Sequence, residues 1–170
     1  LYKDGYSYVG GNPDGDITLV EFLDYRCGYC RKAHKEIEAL LRQDLNIRFV
    51  IKEFPILGEQ SIACAQFAIA VKQLHGMESY KVVHDALIAF TGEPTPQILA
   101  EIASAFGFDP IPIINRMTSD DVMKEINLNR ALGQKMQISG TPTFVLGDQL
   151  LRGYITLDAM LQLIKDQRSN

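Results

Sequence analysis

The chain has 170 residues, of which 46% are apolar and 22% are charged, a composition typical of a folded domain or of one domain carrying a large insertion. Its net charge of −4 and the lack of a basic stripe argue against a nucleic-acid partner. Three cysteines are too few for a disulfide scaffold, and no apolar run is long enough to insert into a membrane.

The first strand predicted along the chain is Ile17–Leu23. Residues 1–16 contain four glycines and end in the turn-forming sequence Asn-Pro-Asp-Gly, which indicates an irregular lead-in. Ile17–Leu23 is then almost entirely apolar or β-branched. This pattern predicts a strand that is buried on both faces of a sheet.

Two cysteines, Cys27 and Cys30, follow this strand where a helix is expected to begin. Cys30 lies on the apolar face of that helix, so its side chain is predicted to point inward. Cys27 precedes the first turn, where backbone N–H groups have no helical partner, and it is predicted to be the exposed thiol. The other apolar positions of this face are Ala33, Ile37, Leu40 and Leu41.

This spacing suits a redox-active pair. Helical Cα atoms three residues apart are about 5 Å from each other, which allows a reversible disulfide between Cys27 and Cys30. The positive end of the helix favours a thiolate at Cys27 and predicts a lowered pKa. Four nearby cations either add to this effect or form an ordinary solvated surface: Arg26, Arg31, Lys32 and Lys35.

A second strand is predicted at 47–54, and with a right-handed crossover it would run parallel to the first. From residue 60 to residue 137 the periodicity is helical only. The predicted helices are Ser61–His75, Ser79–Phe90, Thr95–Phe106 and Ser119–Met136, with a short proline-broken stretch near Pro110. So long a run of helices between strands predicts a subdomain.

Two short strands, Thr143–Leu146 and Gln149–Arg152, are predicted to form a hairpin around a Gly-Asp pair. A last helix follows at 157–167, capped by Thr156. The predicted organisation is a lead-in at 1–16, a thioredoxin-like domain at 17–59 and 138–170, and an inserted helical subdomain at 60–137. The fold class is therefore α/β, a thioredoxin fold interrupted by a large helical insertion.

Pro142 stands at the opening of the predicted strand Thr143–Leu146. Most X-Pro bonds are trans, so alone it indicates a plain turn. If that strand lies beside Ile17–Leu23, however, the proline comes close to the cysteines. A cis Thr141–Pro142 bond would then leave backbone groups of Thr141 able to pair with an extended substrate peptide.

In this combination the chain resembles the DsbA family of thioredoxin-fold disulfide oxidoreductases, from about Ile17 to the final helix. The resemblance rests on Cys27-Gly28-Tyr29-Cys30 after an apolar strand, on Thr141-Pro142 opening a later strand, and on the helical insertion between them. It implies that Cys27 exchanges with substrate sulfur, that Cys30 resolves the mixed disulfide, and that no cofactor or metal is needed beyond this redox-active pair. The substrate-binding residues it implies are Thr141, Pro142, Gly28 and Tyr29.

The resemblance also implies a catalytic role for Glu21, six residues before Cys27. It matches a buried acidic residue that lies beneath the active site in many family members, where it can accept the Cys30 proton. The alternative is that Glu21 is an edge or register residue on its strand.

One departure from the family concerns Gly28-Tyr29. The best-known oxidases have a histidine between the cysteines, whereas Gly-Tyr is the pair of the periplasmic isomerase DsbC. Without that histidine the thiolate loses a partner, so we expect a less oxidising couple and an isomerase or reductase activity. Such sequences also resemble ScsC-type proteins linked to copper tolerance.

The competing function is a copper-binding or copper-tolerance dithiol protein. Cys27, Cys30 and His34 have ligand-like spacing, and paired thiolates suit Cu(I). His34 lies two helical turns from Cys27, however, which weakens a shared site. We interpret Cys64 as a buried structural thiol, with a resolving or metal-binding role as the alternative, and His75 and His84 as structural or surface residues.

The resemblance further predicts partners and location. Substrates would be proteins with cysteines or disulfides, and a membrane redox partner would re-oxidise or re-reduce the site. The chain starts with Leu rather than Met, so we expect a processed or trimmed, exported, periplasmic form from which the signal peptide is absent. Any oligomerising segment would precede Leu1.

Overall fold

A computed structural model describes residues 1–169. Five strands form one sheet in the order β1-β3-β2-β4-β5. The strands are β1 (Tyr8–Gly11), β2 (Ile17–Leu23), β3 (Ile47–Glu53), β4 (Thr143–Leu146) and β5 (Gln149–Arg152). The helices are α1 (Gly28–Gln43), α2 (Glu59–His75), α3 (Met77–Ala89), α4 (Pro96–Ala105), α5 (Pro110–Arg116), α6 (Asp120–Lys135) and α7 (Leu157–Arg168).

The chain divides into two compact units. The sheet unit comprises residues 1–23, residues 27–52 and the chain from Ile138 onward. The helical unit comprises residues 24–26 and residues 53–137. The five strands, apart from Glu53 at the end of β3, lie in the first unit together with α1 and α7, and α2 to α6 lie in the second.

Within the sheet unit, β2 is the central strand. All of its residues except Thr18 are buried, and β3 beside it is buried along its whole length. The prediction of a strand covered on both faces is confirmed, with the bounds Ile17–Leu23. Strand β4 pairs antiparallel with β2, and β5 with β4, with Leu146 opposite Gln149 across the predicted Gly-Asp turn. The hairpin prediction is thus also confirmed.

Strand β1 lies in the segment that the sequence indicated to be irregular. It pairs antiparallel with β3, and Gly11 stands opposite Arg48. Its sequence, Tyr-Val-Gly-Gly, carries no alternating pattern because two of its four residues are glycines. Gly11 has a φ of +66°, and a Cβ there would overlap the carbonyl oxygen of Ile47. The close approach of β1 to the chain at Ile47 therefore depends on a glycine.

Buried polar residues of the sheet unit are paired. The Lys52 side chain is 0% exposed, donates to the Asp4 carboxylate and lies over the Tyr6 ring. This contact holds the pKa of Asp4 well below its usual range, against the opposing effect of burial. A buried ammonium without such a partner would be costly, so the N-terminal segment stabilises β3 by supplying its counter-charge.

Helices α4 and α6 begin where the sequence predicted, whereas α2 and α3 each begin two residues earlier than predicted, at Glu59 and Met77. Thr95 caps α4 ahead of Pro96, and Ser119 caps α6; each side chain accepts a hydrogen bond from a first-turn N–H. Gly107 follows the C-cap of α4 with a φ of +79°, the left-handed conformation expected of a helix-ending glycine. Among the described residues, no helix combines the length and apolarity needed to cross a membrane.

The core of the helical unit contains a buried polar cluster. Tyr25 and Tyr80 both donate to the Glu53 carboxyl group, and His84 Nδ1 lies 3.0 Å from the Tyr25 hydroxyl. Lys72 pairs with Glu125 nearby, and both of these side chains are buried. The cluster therefore joins the end of β3 to α2, α3 and α6 within one unit.

We predict that Gly11→Ala destabilises the protein more than Gly5→Ala does. Both glycines have positive φ, but a methyl group added at Gly5 would enter open space, whereas one added at Gly11 would meet the backbone at Ile47. The expected losses in free energy of unfolding are about 3 kcal/mol for Gly11→Ala and about 1 kcal/mol for Gly5→Ala. Urea unfolding at neutral pH measures both, and equal losses would contradict the close packing of β1 on β3.

Candidate functional site

Cys27 occupies the N-cap of α1. Its backbone is extended, with φ −82° and ψ 116°, and its Sγ accepts a hydrogen bond from the Cys30 N–H at 3.3 Å. The side chain thus takes the place usually filled by a serine or aspartate oxygen. The prediction that Cys27 precedes the first turn and faces the unpaired N–H groups is confirmed.

The start of β4 contributes the second part of the site. The Thr141–Pro142 bond is cis, as predicted. The pairing of β4 with β2 places Thr143 opposite Phe22, and Thr141 lies two residues before Thr143. The Cys27 thiol donates to the Thr141 carbonyl oxygen at 3.3 Å. The structure therefore brings Cys27, Thr141 and Pro142 together within the sheet unit.

The expected exposure of Cys27 is wrong. Only 7% of this residue is exposed, compared with 1% of Cys30, and both are buried. The physical reason is the Thr141 carbonyl, which lies against a thiol that local sequence leaves uncovered. Gly28 and Tyr29 are the exposed residues of the motif; Tyr29 is 64% exposed, and a Cβ added at Gly28 would enter open space.

The pKa of Cys27 is lowered to about 5. The largest cause is a hydrogen bond with the Cys30 thiol, and burial of Cys27 opposes it by raising the pKa. Hydrogen bonds from the Thr141 side chain and from the N–H groups of Cys30 and Tyr29 lower the pKa further. Hydrogen bonds from the start of α1 and from Thr141, rather than the nearby cations, are thus the causes of the lowered pKa. At neutral pH Cys27 is a thiolate, the nucleophilic form of cysteine.

The two remaining thiols differ from Cys27. Cys30 lies on the buried face of α1 together with Ala33, Ile37 and Leu40, so the inward orientation predicted for it is confirmed. Cys64 is 1% exposed in α2, and burial raises its pKa to about 12. Cys64 is therefore a protonated, buried thiol, as a structural role requires.

Glu21 lies in β2, opposite Phe144 of β4, and is 4% exposed. It belongs to the central strand, which excludes the alternative of an edge residue. A proton-accepting role toward Cys30 stays a prediction. Of the histidines, His34 is half-buried on α1, His75 stacks on Phe108 with ring centroids 4.7 Å apart, and His84 is buried in the polar cluster.

Of the three residues before Cys27, the sequence did not single out Asp24 and Tyr25, and it indicated Arg26 only as a nearby cation. Asp24, Tyr25 and Arg26 each make side-chain hydrogen bonds inside the helical unit. Two signals pointed to this segment: an aspartate directly after a buried strand, and a tyrosine two residues before the cysteine pair. Apart from the Arg26 N–H that Asp24 accepts, their partners lie 28 to 65 residues away, beyond any local pattern.

We predict that Thr141→Val raises the pKa of Cys27, because valine keeps the shape of threonine and removes its hydroxyl. One hydrogen bond of about 1 kcal/mol corresponds to a rise of roughly 0.7 units. The rate of iodoacetamide alkylation as a function of pH measures the thiolate fraction, which in the native protein should rise with pH through about 5. Thr18→Val, on β2, is the matched control. Equal pH midpoints of Cys27 alkylation in the two variants would contradict a hydrogen bond from the Thr141 side chain to the thiolate.

Comparison with known proteins agrees with this geometry. The family model for the DSBA-like thioredoxin domain matches residues 18–165. A thioredoxin-like oxidoreductase from Silicibacter pomeroyi has a similar structure, with a TM-score of 0.91, 36% identity, and coverage of 100% of this chain and 96% of that one. The thiol-disulfide exchange protein alpha-DsbA2 from Wolbachia pipientis has a TM-score of 0.89 and 28% identity, covering 96% and 88%.

The catalytic domain of ScsC from Proteus mirabilis is also similar, with a TM-score of 0.89, 26% identity, and coverage of 100% and 93%. Among curated sequences, the Na⁺/H⁺ antiporter NhaA 1 of Salinispora arenicola is 26% identical over 154 residues, which are 90% of this chain and 23% of the antiporter. The chain thus spans about a quarter of that relative. Its family is nevertheless shown by the match over residues 18–165: the chain belongs to the DSBA-like thioredoxin domain family.

Proposed function

We propose that the protein is a thiol–disulfide oxidoreductase that acts on protein cysteines through Cys27 and Cys30. The observation that carries this proposal is the Cys27 thiolate at the N-cap of α1, three residues before a second, buried thiol. Membership of the DSBA-like family supports it, as does the similarity to proteins described as an oxidoreductase and as a thiol-disulfide exchange protein.

In the oxidising direction, a substrate thiolate attacks Sγ of Cys27 in the Cys27–Cys30 disulfide. The S–S bond breaks, its electron pair leaves on Cys30, and a mixed disulfide with the substrate forms. A second substrate thiolate then attacks the substrate sulfur and releases Cys27 as a thiolate. The substrate loses two electrons and the enzyme gains them as a dithiol. The low pKa of Cys27 makes it the better leaving group.

In the isomerising direction, the Cys27 thiolate attacks a non-native substrate disulfide, which forms a mixed disulfide and frees one substrate thiolate; a substrate thiolate then attacks the mixed disulfide, forms a new pairing and releases Cys27. Cys30 provides an escape route by attacking Cys27, which releases the substrate in reduced form and leaves the enzyme as the Cys27–Cys30 disulfide. Cys30 must lose its proton in that step, and we assign Glu21 as the acceptor. Substrate peptides would lie along Thr141 and Pro142 and across Gly28 and Tyr29, of which Tyr29 is highly exposed. Because a thiolate cannot donate, ionisation of Cys27 frees the Thr141 carbonyl oxygen to accept from the substrate backbone.

The copper-binding alternative rests on the ligand chemistry of the dithiol alone. Cys64 is a buried, protonated thiol in the helical unit, which does not favour it as a third soft ligand. We therefore propose the oxidoreductase as the function. We place the protein in the periplasm, with protein thiols or disulfides as its substrates. A membrane partner would re-oxidise or re-reduce Cys27 and Cys30. The same proposal includes oligomerisation through a segment preceding Leu1.

We predict that Cys27→Ser abolishes both oxidation of reduced ribonuclease and isomerisation of scrambled ribonuclease, because a serine hydroxyl does not exchange with disulfides. Cys30→Ser should instead accumulate mixed disulfides with the substrate, which are visible on non-reducing gels. Cys64→Ala is the control and should retain the native rates, since its thiol is buried and protonated. Native rates in Cys27→Ser would refute the proposed function.

We predict a reduction potential between those of thioredoxin and DsbA. Thiolate pKa values of about 7 and about 3.5 accompany potentials of about −270 mV and about −120 mV in those two proteins. A Cys27 pKa of about 5 lies between them, because a stabilised thiolate favours the reduced form. Equilibration with glutathione measures the potential, and a value outside this interval would contradict the link between the N-cap hydrogen bonds and the redox couple.

A further inference from the structure

A line of residues on α1 begins next to Cys27. Gly28, Lys32 and Glu36 are spaced four residues apart, so they follow one another along the same face of the helix. A Cβ added at Gly28 would enter open space, and Lys32, one turn later, is exposed. The helix rises about 6 Å from Gly28 to Lys32. No side chain of this line therefore separates the exchanging thiol from Lys32.

The loop between β5 and α7 borders this line. Tyr154 donates its hydroxyl hydrogen to Glu36 Oε1, and the Leu157 N–H donates to Glu36 Oε2 at 3.1 Å. Gly153, which precedes Tyr154, donates its N–H to the Pro142 carbonyl oxygen at 2.9 Å. All of these residues belong to the sheet unit. Tyr154 thus adjoins both this face of α1 and the edge along which the substrate peptide is proposed to lie.

The Tyr154 ring holds the Lys32 ammonium in place. Lys32 Nζ lies 4.1 Å from the centre of the ring, a cation–π contact. Glu36, the acid one helical turn further on, engages both carboxylate oxygens in its contacts with Tyr154 and Leu157. In the part of the chain that the structure describes, Lys32 forms no ion pair within 4.0 Å. An exposed positive charge in a defined position is therefore available to an anion beside the exchange site.

We propose that Lys32, held over the Tyr154 ring, selects substrates that carry an acidic side chain two residues from the reactive cysteine. Side chains of an extended peptide alternate between two faces, so a residue two positions from the cysteine points toward the same protein surface. Two residues span about 7 Å, which matches the rise of about 6 Å from Gly28 to Lys32. This selectivity rests on the proposed function, because Lys32 acts on the substrate of the same exchange.

The acidic side chain is recognised by a charge-assisted hydrogen bond from the Lys32 ammonium to its carboxylate. Exposed ion pairs are usually weak, because two flexible side chains lose rotational freedom when they meet. The Tyr154 ring restricts Lys32 before the substrate arrives, which reduces that loss. We expect an acceleration of about threefold for Glu over Gln at low ionic strength, and a smaller one at high salt.

The test uses the reduced protein and peptides whose cysteine carries a thionitrobenzoate disulfide. The Cys27 thiolate attacks the peptide sulfur, the S–S bond to thionitrobenzoate breaks, and its electron pair leaves on the coloured thionitrobenzoate anion. Two peptide pairs carry Glu or Gln, one pair two residues before the cysteine and the other two residues after it. Each rate is divided by the rate of the same peptide with dithiothreitol, which removes differences in intrinsic reactivity. The native protein should favour Glu about threefold in at least one pair.

Three variants and a control identify the residue responsible. Lys32→Gln should abolish the preference for Glu, and Lys32→Arg should keep it. Tyr154→Leu retains the lysine but removes the ring, so it should lower the preference to less than about twofold. Lys35→Gln is the matched control, since it removes the same charge from an exposed lysine of α1 three residues further from Cys27, and it should retain the preference.

Equal rates with the Glu and Gln peptides in the native protein would refute selection by Lys32. So would a preference that Lys32→Gln leaves unchanged, or an equal loss of preference in Lys32→Gln and Lys35→Gln. Thionitrobenzoate release from the Gln peptides measures the exchange without any acidic side chain. Its absence with every peptide would refute the proposed function and the selectivity with it, so the two failures are distinguishable.

Discussion

The chemistry of this protein depends on a sulfur atom at a helix N-terminus. The first N–H groups of a helix have no partner within it, and an anion placed there is stabilised by both their hydrogen bonds and the helix dipole. Cys27 Sγ accepts a hydrogen bond from one of these N–H groups, and the pKa of the Cys27 thiol is lowered. The same helix places Cys30 on its buried face one turn later. One short motif therefore supplies two thiols with different environments.

The register of the sheet fixes the other half of the site. Strand β4 pairs with β2 so that Thr143 stands opposite Phe22 and Phe144 opposite Glu21. A slip of one residue would exchange the two faces of β4, all of whose residues are buried, so this register is strongly specified. Since Thr141 lies only two residues before the strand, its distance from Cys27 is set by core packing and not by the loop.

Much of this arrangement could be predicted from the sequence, because the signals are local. Ile17–Leu23 is a continuous apolar run, Thr95 and Ser119 are N-caps, and a Gly-Asp pair separates two short apolar runs. Strand β1 was not predicted because its two glycines remove the alternation and it is held by β3, distant in sequence. The burial of Cys27 was not predicted for a related reason: the carbonyl that covers it belongs to Thr141, 114 residues away.

The buried polar cluster of the helical unit contributes specificity of packing rather than stability. Replacing a buried ionisable group by well-packed apolar residues is often neutral or stabilising, so Glu53, one of whose oxygens has no hydrogen-bond partner in the described part of the chain, is not explained by stability. What the cluster provides is a unique position for the Tyr25 ring, because hydrogen bonds are directional and apolar contacts are not. Hydrogen bonds to one shared carboxyl oxygen therefore specify how the Tyr25 and Tyr80 rings lie in the helical unit, which apolar contacts alone would leave less defined.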